Sequence, residues 1–372
     1  MRILQVFPHL SKGGAERVVV ELSNSLSAVG HEVTLILAFP IDPSLNERYL
    51  DNKVCVQFVS AFSTNRFLPY LKLPSYIMRN WKDLKSYDAI HCHLTFGLIF
   101  GSLISVFRKI KGAEKLRVIA TCHVVGGGLS RTRRILNERL SYFFDVFVLM
   151  AQDTQWRNFI SSKKKKNFQV VTNGISSSAW ERRVKPQKEN PFWTIGTISR
   201  LEKERKPWLF LEVFAQLDKL TKGNVHFVLG GEGPERENLE RLSKELKLNK
   251  NLSMPGLVYD PQKLLRYLDL YVSLNVEEIT GIAGLEAVFS GIPTVGIQLS
   301  PNYNKGASDW IWSDQDPKKV AAELARMLEK PKNLSKVARN QYGVAIRDYS
   351  ISRMRNDYLN LYMSEQITFP MN

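Results

Sequence analysis

Two glutamates eight residues apart, Glu278 and Glu286, have the types and spacing of a ligand site. Gly281 lies in a turn between them, and the residues around Glu286 predict a helix. Carboxylates accept hydrogen bonds from hydroxyl groups, and free N–H groups at a helix start suit a phosphate. At about 1.5 Å per residue, a helical segment would place them about 12 Å apart. The spacing fits the sugar and ribose ends of a nucleotide-sugar. It also fits two glutamates with structural roles only: the first in a surface loop, and the second partly buried and either capping a helix or forming an ion pair.

Two further segments have the residue types of phosphate sites. Gly13 and Gly14 follow the first predicted strand and open the first predicted helix, where the backbone can approach a ligand closely. Arg200 ends a strand and Lys206 precedes a helix, an arrangement suited to clamping a diphosphate leaving group. A plain tight turn and a solvated charged loop also account for these segments. No Walker G-K-[ST] sequence occurs in the chain.

The elements that must position these residues alternate between strand and helix, twice over. The predicted strands are Ile3–Phe7, Val33–Phe39, Val54–Val59, Asp88–His91, Val118–Thr121, Asp145–Leu149, Phe168–Thr172, Trp193–Ile198, Val225–Leu229, Leu270–Leu274 and Thr294–Ile297. Helical stretches between most of them predict two α/β domains with doubly wound parallel sheets. Ligands bind at the carboxyl ends of such strands, so two facing domains would share one cleft. We predict domains over residues 1–175 and 193–345, a linker over 176–192, and a helical tail over 346–372 that packs back on the first domain.

Composition describes a globular protein of two domains. The chain has 372 residues, of which 44% are hydrophobic and 24% charged. Its three cysteines form no C-x-x-C pair, which favours a reducing cytoplasm and argues against a zinc site. The N-terminus is typical of a strand rather than a signal peptide, and the longest apolar run, Phe96–Phe107, is too short to span a bilayer.

The net charge of +16 is concentrated in the first half of the chain. Residues 1–175 contain 24 Lys and Arg against 12 Asp and Glu. Arg131, Arg133, Arg134 and Arg139 lead into an apolar stretch that ends at Phe144. Such a surface can bind the anionic inner face of the cytoplasmic membrane, and we hypothesise peripheral association there with a lipid-linked acceptor. A solvated helix with its apolar side in the core is the alternative. No nucleic-acid-binding module is recognisable, so nucleic acid is not expected as a partner.

Several motifs occur together in a characteristic order. They are the Gly-Gly-Ala-Glu loop at Gly13, Ser199-Arg200-Leu201, Gly230-Gly231-Glu232-Gly233-Pro234, Pro255-Gly256, the Glu278–Glu286 segment and Gly291-Ile292-Pro293. Over nearly the whole chain they resemble the GT-B glycosyltransferases of the retaining family 4 (group 1), including bacterial cell-envelope enzymes. The resemblance implies an acceptor held mainly by the first domain and a nucleotide-sugar held mainly by the second.

The resemblance assigns the donor diphosphate to four residues. Arg200 and Lys206 would contact it through their side chains, and Ile282 and Ala283 through their amides. Loop length varies here in the family, so Arg205 is an alternative to Lys206.

The resemblance places the rest of the donor on acidic residues. Glu278 would hold hydroxyls of the donor sugar and Glu286 the ribose, while Gly13 and Gly14 would approach the diphosphate from across the cleft. His123 matches a family histidine beside the reacting sugar. A lone strand-end histidine is otherwise often a satisfied polar residue.

The sequence departs from the family where the sugar is expected. Ile279 and Thr280 stand where the family often has Gly-Phe, so the sugar pocket has a different wall. Another expectation is that Asp316, in a formal Asp-x-Asp, caps a helix rather than holding a metal, with Pro317 at the first helical position. His91 and His93 could bind a metal only if turned to one side; we expect a cleft-facing polar pair.

These features predict a metal-independent, retaining glycosyltransferase without a cofactor. It would transfer a hexose or N-acetylhexosamine from a nucleoside diphosphate sugar, UDP rather than GDP, to a saccharide or lipid-linked saccharide. Lipopolysaccharide, capsule or exopolysaccharide synthesis is the expected setting. The alternatives are a non-catalytic nucleotide-sugar-binding subunit of another glycosyltransferase, or an epimerase or phosphorylase on the same architecture.

Overall fold

The computed structural model describes most of the chain in two compact units. The described residues are 1–10, 13–41, 50–60, 67–123, 131–150, 167–176, 192–275, 282–298, 311–312 and 316–364. The first unit comprises Met1–Gly174 together with Ile351–Asn372, and the second comprises Ile175–Ser350. The chain therefore passes from the first unit to the second after Gly174 and returns after Ser350.

A parallel sheet of seven strands forms the centre of the first unit within the described residues. Its strands are β1 (Arg2–Phe7), β2 (Glu32–Leu37), β3 (Cys55–Phe58), β4 (Ala89–His93), β5 (Arg117–Cys122), β6 (Val146–Leu149) and β7 (Phe168–Val170). They lie in the order β3-β2-β1-β4-β5-β6-β7, and every pairing is parallel. The central strand β1 is buried over five of its six residues because helices cover both faces of such a sheet.

The helices of the first unit lie between these strands in sequence. They are α1 (Gly14–Ala28), α2 (Leu68–Arg79), α3 (Trp81–Leu84), α4 (Leu94–Lys111) and α5 (Arg131–Leu140). The sequence predicts that Gly30 ends this first helix as its C-cap, and Gly30 takes the left-handed φ of +89° and donates its N–H to Ser27 O at 3.0 Å. Phe96, Phe100 and Phe147 are among the fully buried side chains of the core.

The second unit repeats this architecture. Its strands are β8 (Trp193–Ile198), β9 (Val225–Gly230), β10 (Leu252–Gly256), β11 (Leu270–Asn275), β12 (Thr294–Gln298) and β13 (Ile311–Trp312). They lie in the order β10-β9-β8-β11-β12-β13, all parallel. The helices are α6 (Trp208–Leu220), α7 (Arg236–Glu245), α8 (Pro261–Leu265), α9 (Ile282–Phe289), α10 (Pro317–Leu328) and α11 (Pro331–Asp348). The predicted fold class, two doubly wound parallel sheets, is confirmed.

The last helix, α12 (Ile351–Met363), belongs to the first unit. It buries Met354, Tyr358, Leu361 and Tyr362 there. Hydrogen bonds reach from this helix into strands β1, β4 and β5, because both tyrosine hydroxyls meet polar side chains of those strands.

The sequence located most strands to within two residues but omitted three short elements. The pattern did not predict β10, α8 or β13. Strand β10 alternates over only three residues before Pro255-Gly256, and β13 has two residues in all, so neither gives a sustained period-2 signal. Most of the predicted linker, residues 177–191, lies outside the described residues.

Candidate active site

The described donor residues that were predicted in the second unit follow the strands at the topological switch point of its sheet. The strand order reverses between β8 and β11, which are neighbours. In open α/β sheets, ligands bind outside the carboxyl ends of the strands at such a point. Strand β8 leads into the loop with Arg200 and Lys206, and α9 follows β11 in the chain. Glu278 falls within residues 276–281, outside the described residues, so its role stays a prediction.

The backbone on either side of Arg200 is held by hydrogen bonds to the neighbouring loop. Ser199 N donates to Gly230 O and Leu201 N to Glu232 O, each at 2.9 Å. Leu201 O accepts from Glu235 N at 3.0 Å, and the Leu201 side chain is fully buried. The loop that carries Arg200 is therefore fixed in position before any ligand arrives.

Glycines make this contact between the two loops possible. Gly231 has a φ of +135°, and a Cβ atom there would overlap the carbonyl oxygen of Ser199. A Cβ at Gly233 would likewise overlap the carbonyl oxygen of Leu201. From the sequence alone, the Gly-Gly-Glu-Gly-Pro motif indicated only a resemblance to the family. In the structure, its glycines let two backbones approach closely enough to hydrogen-bond.

The Arg200 side chain extends from this fixed backbone towards solvent. Its guanidinium makes a salt bridge to Glu202 at 3.0 Å, with the two side chains 65% and 35% exposed. Exposed ion pairs contribute about 0–1 kcal/mol, so little free energy opposes exchange of Glu202 for an anionic ligand. A planar guanidinium suits the paired oxygens of a phosphate.

Lys206 has an unusual backbone conformation in the same loop. It ends a short 3-10 turn, Lys203–Arg205, with a left-handed φ of +45°. Its N–H donates to Lys203 O at 3.1 Å and its carbonyl accepts from Leu209 N at 3.0 Å. The Lys206 side chain is exposed and that of Arg205 half-buried. Which of the two would bind a phosphate stays a prediction.

Helix α9 brings an amide cluster and a buried carboxylate to the same edge. Ile282 and Ala283 lie in its first turn, where N–H groups have no acceptor within the helix. Glu286 lies one turn later and is only 5% exposed. A helix N-terminus attracts a phosphate, and a carboxylate accepts hydrogen bonds from ribose hydroxyls. Both assignments fit this geometry and remain predictions.

Tyr271, a residue that sequence reasoning missed, joins the strands of the switch point. Its hydroxyl donates to Ile198 O at 3.1 Å and accepts from Ile198 N at 3.3 Å. Burial, with a contribution from the charge of Glu286, raises the pKa of Tyr271 to about 12, so this hydroxyl stays protonated. The available signal in the sequence was a tyrosine within the predicted strand Leu270–Leu274, because a buried tyrosine hydroxyl needs a hydrogen-bond partner.

In the first unit, Gly13 occupies the N-cap position of α1. Its backbone is extended, and Arg17 N donates to Gly13 O at 3.1 Å. The Glu16 carboxylate lies directly over Gly13, in the space that a Cβ would need. A diphosphate approaching Gly13 and Gly14 would therefore have to displace Glu16. Their predicted role stays untested.

His123 lies just after β5 and contacts other histidines. Its Nε2 is 2.8 Å from His93 Nδ1, and His93 Nε2 is 2.7 Å from Gln5 Oε1. Burial lowers the pKa of His123 to about 4, so the ring is neutral near pH 7. Its Nδ1 is buried and has no hydrogen-bond partner within the part of the chain that the structure describes.

His91 and His93 are not the cleft-facing pair that the sequence predicted. They are 0% and 1% exposed, with ring centroids 4.0 Å apart. His91 Nδ1 is 2.8 Å from Tyr362 Oη, and its Nε2 is 2.7 Å from Thr121 Oγ1. Helix α12 covers His91 through Tyr358 and Tyr362, and a contact between residues 271 positions apart is not predictable from the strand alone.

Three findings on metal binding, a helix cap and membrane spans concern only the described residues. Among them, no group of three or more His, Cys, Asp and Glu could hold a metal ion. The Asp316 carboxylate accepts from Lys318 N at 2.9 Å with Pro317 at the start of α10, which confirms the predicted helix cap. The described helices also include none with the length and hydropathy needed to cross a membrane.

Comparison with solved structures identifies the class to which this fold belongs. The chain superposes on a crystal structure of Anabaena Alr3699/HepE in complex with UDP and glucose, with a TM-score of 0.77, 16% identity, and coverage of 98% of this chain and 100% of that one. Staphylococcus aureus TarM gives a TM-score of 0.75 at 13% identity, with 98% and 99% covered. The fold is that of the GT-B glycosyltransferases.

Sequence comparison gives the family. The model for glycosyl transferases group 1 matches residues 178–344, and that for Glycosyltransferase Family 4 matches residues 12–178. The chain belongs to glycosyltransferase family 4, group 1, as the motifs indicated.

Two relatives illustrate the range within the family. N-acetyl-alpha-D-glucosaminyl L-malate synthase of Bacillus anthracis is 22% identical, over 78% of this chain and 77% of that protein. A Campylobacter jejuni alpha-1,4-N-acetyl-D-galactosaminyltransferase, whose name includes an undecaprenol-linked saccharide, is 26% identical, over 97% of this chain and 98% of that protein.

Proposed function

We propose that this glycosyltransferase moves a hexose or N-acetylhexosamine from a nucleoside diphosphate sugar, UDP rather than GDP, to a saccharide or lipid-linked saccharide acceptor. The setting is synthesis of lipopolysaccharide, capsule or exopolysaccharide. The observation that carries the proposal is the switch point of the second sheet, where the loop with Arg200 follows β8 and helix α9 comes after the neighbouring strand β11. Names of relatives support the acceptor class, since they include an undecaprenol-linked saccharide and an O-antigen biosynthesis glycosyltransferase.

In this proposal the second unit binds the donor by its charged end. Arg200 and Lys206 contact the diphosphate, the amides of Ile282 and Ala283 donate to a phosphate oxygen, and Glu286 accepts from ribose hydroxyls. Negative charge grows on the diphosphate as the bond to the anomeric carbon breaks. Cations already in position stabilise that charge more in the transition state than in the ground state.

The proposed reaction retains the configuration of the anomeric carbon. The acceptor hydroxyl attacks from the side that the diphosphate leaves, a bond forms between its oxygen and the anomeric carbon, and its proton passes to the departing phosphate oxygen. Glu278 holds hydroxyls of the transferred sugar. Neither a metal nor a cofactor enters these steps.

The test is transfer by the isolated chain. UDP-, GDP- and dTDP-sugars are each incubated with saccharide and lipid-linked saccharide acceptors, and release of nucleoside diphosphate is measured with and without acceptor and with EDTA. We expect acceptor-dependent release that EDTA does not affect, and an anomeric proton in the product with the same orientation as in the donor. Conversion of the donor into another nucleotide-sugar would instead favour an epimerase, sugar phosphate formed from inorganic phosphate would favour a phosphorylase, and no reaction with any donor would favour a non-catalytic subunit.

We further propose that α5 and the turn after it bind an anionic membrane surface. Arg131, Arg133 and Arg139 are exposed there. Four apolar side chains beside them are also exposed, contrary to a fully buried apolar face: Ile135, Leu136, Tyr142 and Phe143. Exposed apolar residues flanked by cations are typical of interfacial segments.

Sedimentation with vesicles tests the membrane proposal. The chain should sediment with phosphatidylglycerol vesicles at low salt and remain in the supernatant with phosphatidylcholine vesicles. Replacing Arg131, Arg133 and Arg139 by Gln should weaken binding, since each cation contributes about 1 kcal/mol near the headgroups. Replacing Lys244, Lys247 and Lys250, which are exposed in the second unit, is the charge-matched control. Equal losses of vesicle binding in both triple variants would refute specific binding through α5 and the turn after it.

A further inference from the structure

A continuous chain of buried hydrogen bonds begins at His123. Within the described residues it passes through His123, His93, Gln5, Tyr362, His91, Thr121 and Tyr358 in that order. The successive heavy-atom distances are 2.8, 2.7, 3.4, 2.8, 2.7 and 3.0 Å. The members beyond His123 are at most 4% exposed. Polar groups so deeply buried must satisfy one another, so the position of each proton constrains the next.

Gln5 determines the direction of this chain because its two ends are chemically different. Its Oε1 can only accept and its Nε2 can only donate. The 2.7 Å contact between Gln5 Oε1 and His93 Nε2 matches an N–H···O hydrogen bond, whose usual range is about 2.7–3.2 Å. The proton in this contact therefore belongs to His93 Nε2.

The tautomer of His93 in turn decides that of His123. A neutral imidazole carries one N–H, so His93 with a protonated Nε2 has a lone pair on Nδ1. The proton in the 2.8 Å contact between the two rings then comes from His123 Nε2. Burial lowers the pKa of both histidines, which keeps both rings neutral near pH 7.

The other end of Gln5 gives the same direction. Gln5 Nε2 donates to Tyr362 Oη, so the Tyr362 hydroxyl donates its own proton to His91 Nδ1. His91 Nε2 then donates to Thr121 Oγ1, and the Thr121 hydroxyl donates to Tyr358 Oη. Every group donates to the next, so no contact in the chain lacks a proton or has two.

We propose that Gln5 and His93 are positioning residues that hold His123 as its Nε2–H tautomer, so that His123 Nδ1 presents a lone pair to a hydrogen-bond donor on the substrate. This Nδ1 is buried and without a partner among the described residues. A hydroxyl or amide N–H satisfies it, whereas a phosphate or carbonyl oxygen is repelled. The assignment of that donor to a hydroxyl of the nucleotide-sugar rests on the proposed function.

The tautomer is measured directly by NMR on the full chain with ¹⁵N-labelled histidine. The ¹⁵N chemical shift separates protonated from unprotonated ring nitrogens, and a His123→Gln variant assigns the signal among the six histidines. Without any substrate at pH 7.5, we expect His123 protonated on Nε2 and unprotonated on Nδ1. A proton on Nδ1 would overturn the proposal, whatever the variants do.

Variants test whether Gln5 sets the tautomer. Gln5→Leu removes the acceptor of His93 and should give a mixture of His123 tautomers. Gln5→Glu keeps an acceptor and should restore the Nε2–H form. Tyr358→Phe is the matched control, because it removes a hydroxyl at the far end of the chain, which only receives a proton. An unchanged tautomer in folded Gln5→Leu, shown by circular dichroism, would overturn the proposal.

Turnover links the tautomer to the reaction. With UDP-glucose and UDP-N-acetylglucosamine as probes, Gln5→Leu should lower kcat/KM about tenfold, the loss of one hydrogen bond, and Gln5→Glu should recover most of it. Tyr358→Phe should leave kcat/KM unchanged. Equal kcat/KM for folded Gln5→Leu and the unaltered chain would refute the role of the tautomer. Absence of turnover with every donor would refute the proposed function instead, while the NMR result still decides the tautomer.

Discussion

At the scale of single residues, Arg200 combines a fixed backbone with a side chain that forms an exposed ion pair with Glu202. The hydrogen bonds of Ser199 and Leu201 to the next loop place the backbone. The side chain meets Glu202 near solvent, where the pairing energy is small. Such a cation is ready to meet a phosphate without first breaking a strong contact.

The first prediction is that Arg200→Ala lowers kcat about 100-fold, the size of effect seen when one charge-stabilising donor is removed from a transition state. Donor KM should change much less, because the lost contact acts mainly on the charge that develops in the reaction. Steady-state kinetics with the preferred donor measures both. Glu202→Ala is the control and should not lower kcat. Equal turnover by Arg200→Ala would exclude the role.

The second prediction concerns Gly231. Gly231→Ala should destabilise the second unit by more than about 2 kcal/mol, because a side chain is strained at a φ of +135° and its Cβ overlaps Ser199 O. The matched control is Gly343→Ala in helix α11, where a Cβ meets nothing within 4 Å and should stabilise by about 0.5–1 kcal/mol. Urea unfolding measures both changes. A loss at position 343 as large as at 231 would contradict this explanation.

At the scale of elements, the second unit brings three segments to one edge of its sheet. The loop after β8, the glycine loop after β9 and the start of α9 all follow strands at or beside the switch point. Tyr271 connects two of these strands through both backbone groups of Ile198. The elements thus bring the cation Arg200 and the amides at the start of α9 to one edge of the sheet, although residues 200 and 282 are distant in sequence.

The third prediction separates a helix cap from a metal ligand at the start of α10. Asp316→Ala should lower the free energy of unfolding by about 1 kcal/mol through loss of its hydrogen bond to Lys318 N. Transfer activity should stay unchanged, with or without EDTA. Thermal unfolding and the transfer assay measure the two effects. Activity lost in Asp316→Ala and restored by excess Mn²⁺ would show a metal role instead.

At the scale of the whole molecule, the last helix completes the first unit after the chain has formed the second. Helix α12 buries Tyr358 and Tyr362 against strands β1, β4 and β5, where three histidines lie close together. Neutral histidines in a dry interior make the stability of this unit depend on pH. As the solution becomes acidic, protonation of these histidines favours the unfolded chain, so the free energy of unfolding falls.

The fourth prediction is a loss of stability below about pH 6.5. Burial lowers the pKa of His91, His93 and His123 in the folded chain, to about 4 for His123, so between these values and 6.5 the unfolded chain binds more protons. Each histidine then contributes a loss of up to about 1.4 kcal/mol per pH unit as pH falls. Urea midpoints at pH 7.5, 6.0 and 5.0 measure the slope.

The variant His93→Gln tests the origin of this slope. In this variant the slope of the free energy of unfolding against pH should become shallower, since one buried titrating ring is removed. His226→Gln is the control, because that ring contacts Ser253 in the second unit near the surface. A slope that His93→Gln leaves unchanged, or that His226→Gln reduces as much, would contradict the assignment.

The sequence by itself determined the two α/β units, most strands of both sheets and the family. Strand periodicity, helix ends such as Gly30 and the Asp316 cap are local, because each depends on residues within a few positions. Arg200, Lys206 and Glu286 could be proposed for the same reason, from motifs beside strand ends. The roles of all these residues, and those of Glu278, Gly13 and Gly14, remain predictions.

Only the tertiary structure decided what surrounds these residues. Gly231 became necessary because the backbone of Ser199 lies against it. The prediction of a cleft-facing pair at His91 and His93 was wrong because both are buried, His91 against α12 and His93 against neighbouring strands. The hydrogen bond between Gln5 and Tyr362 joins residues 357 positions apart. No local pattern contains such a contact, because it exists only once folding has excluded water from both side chains and left each as the other's partner.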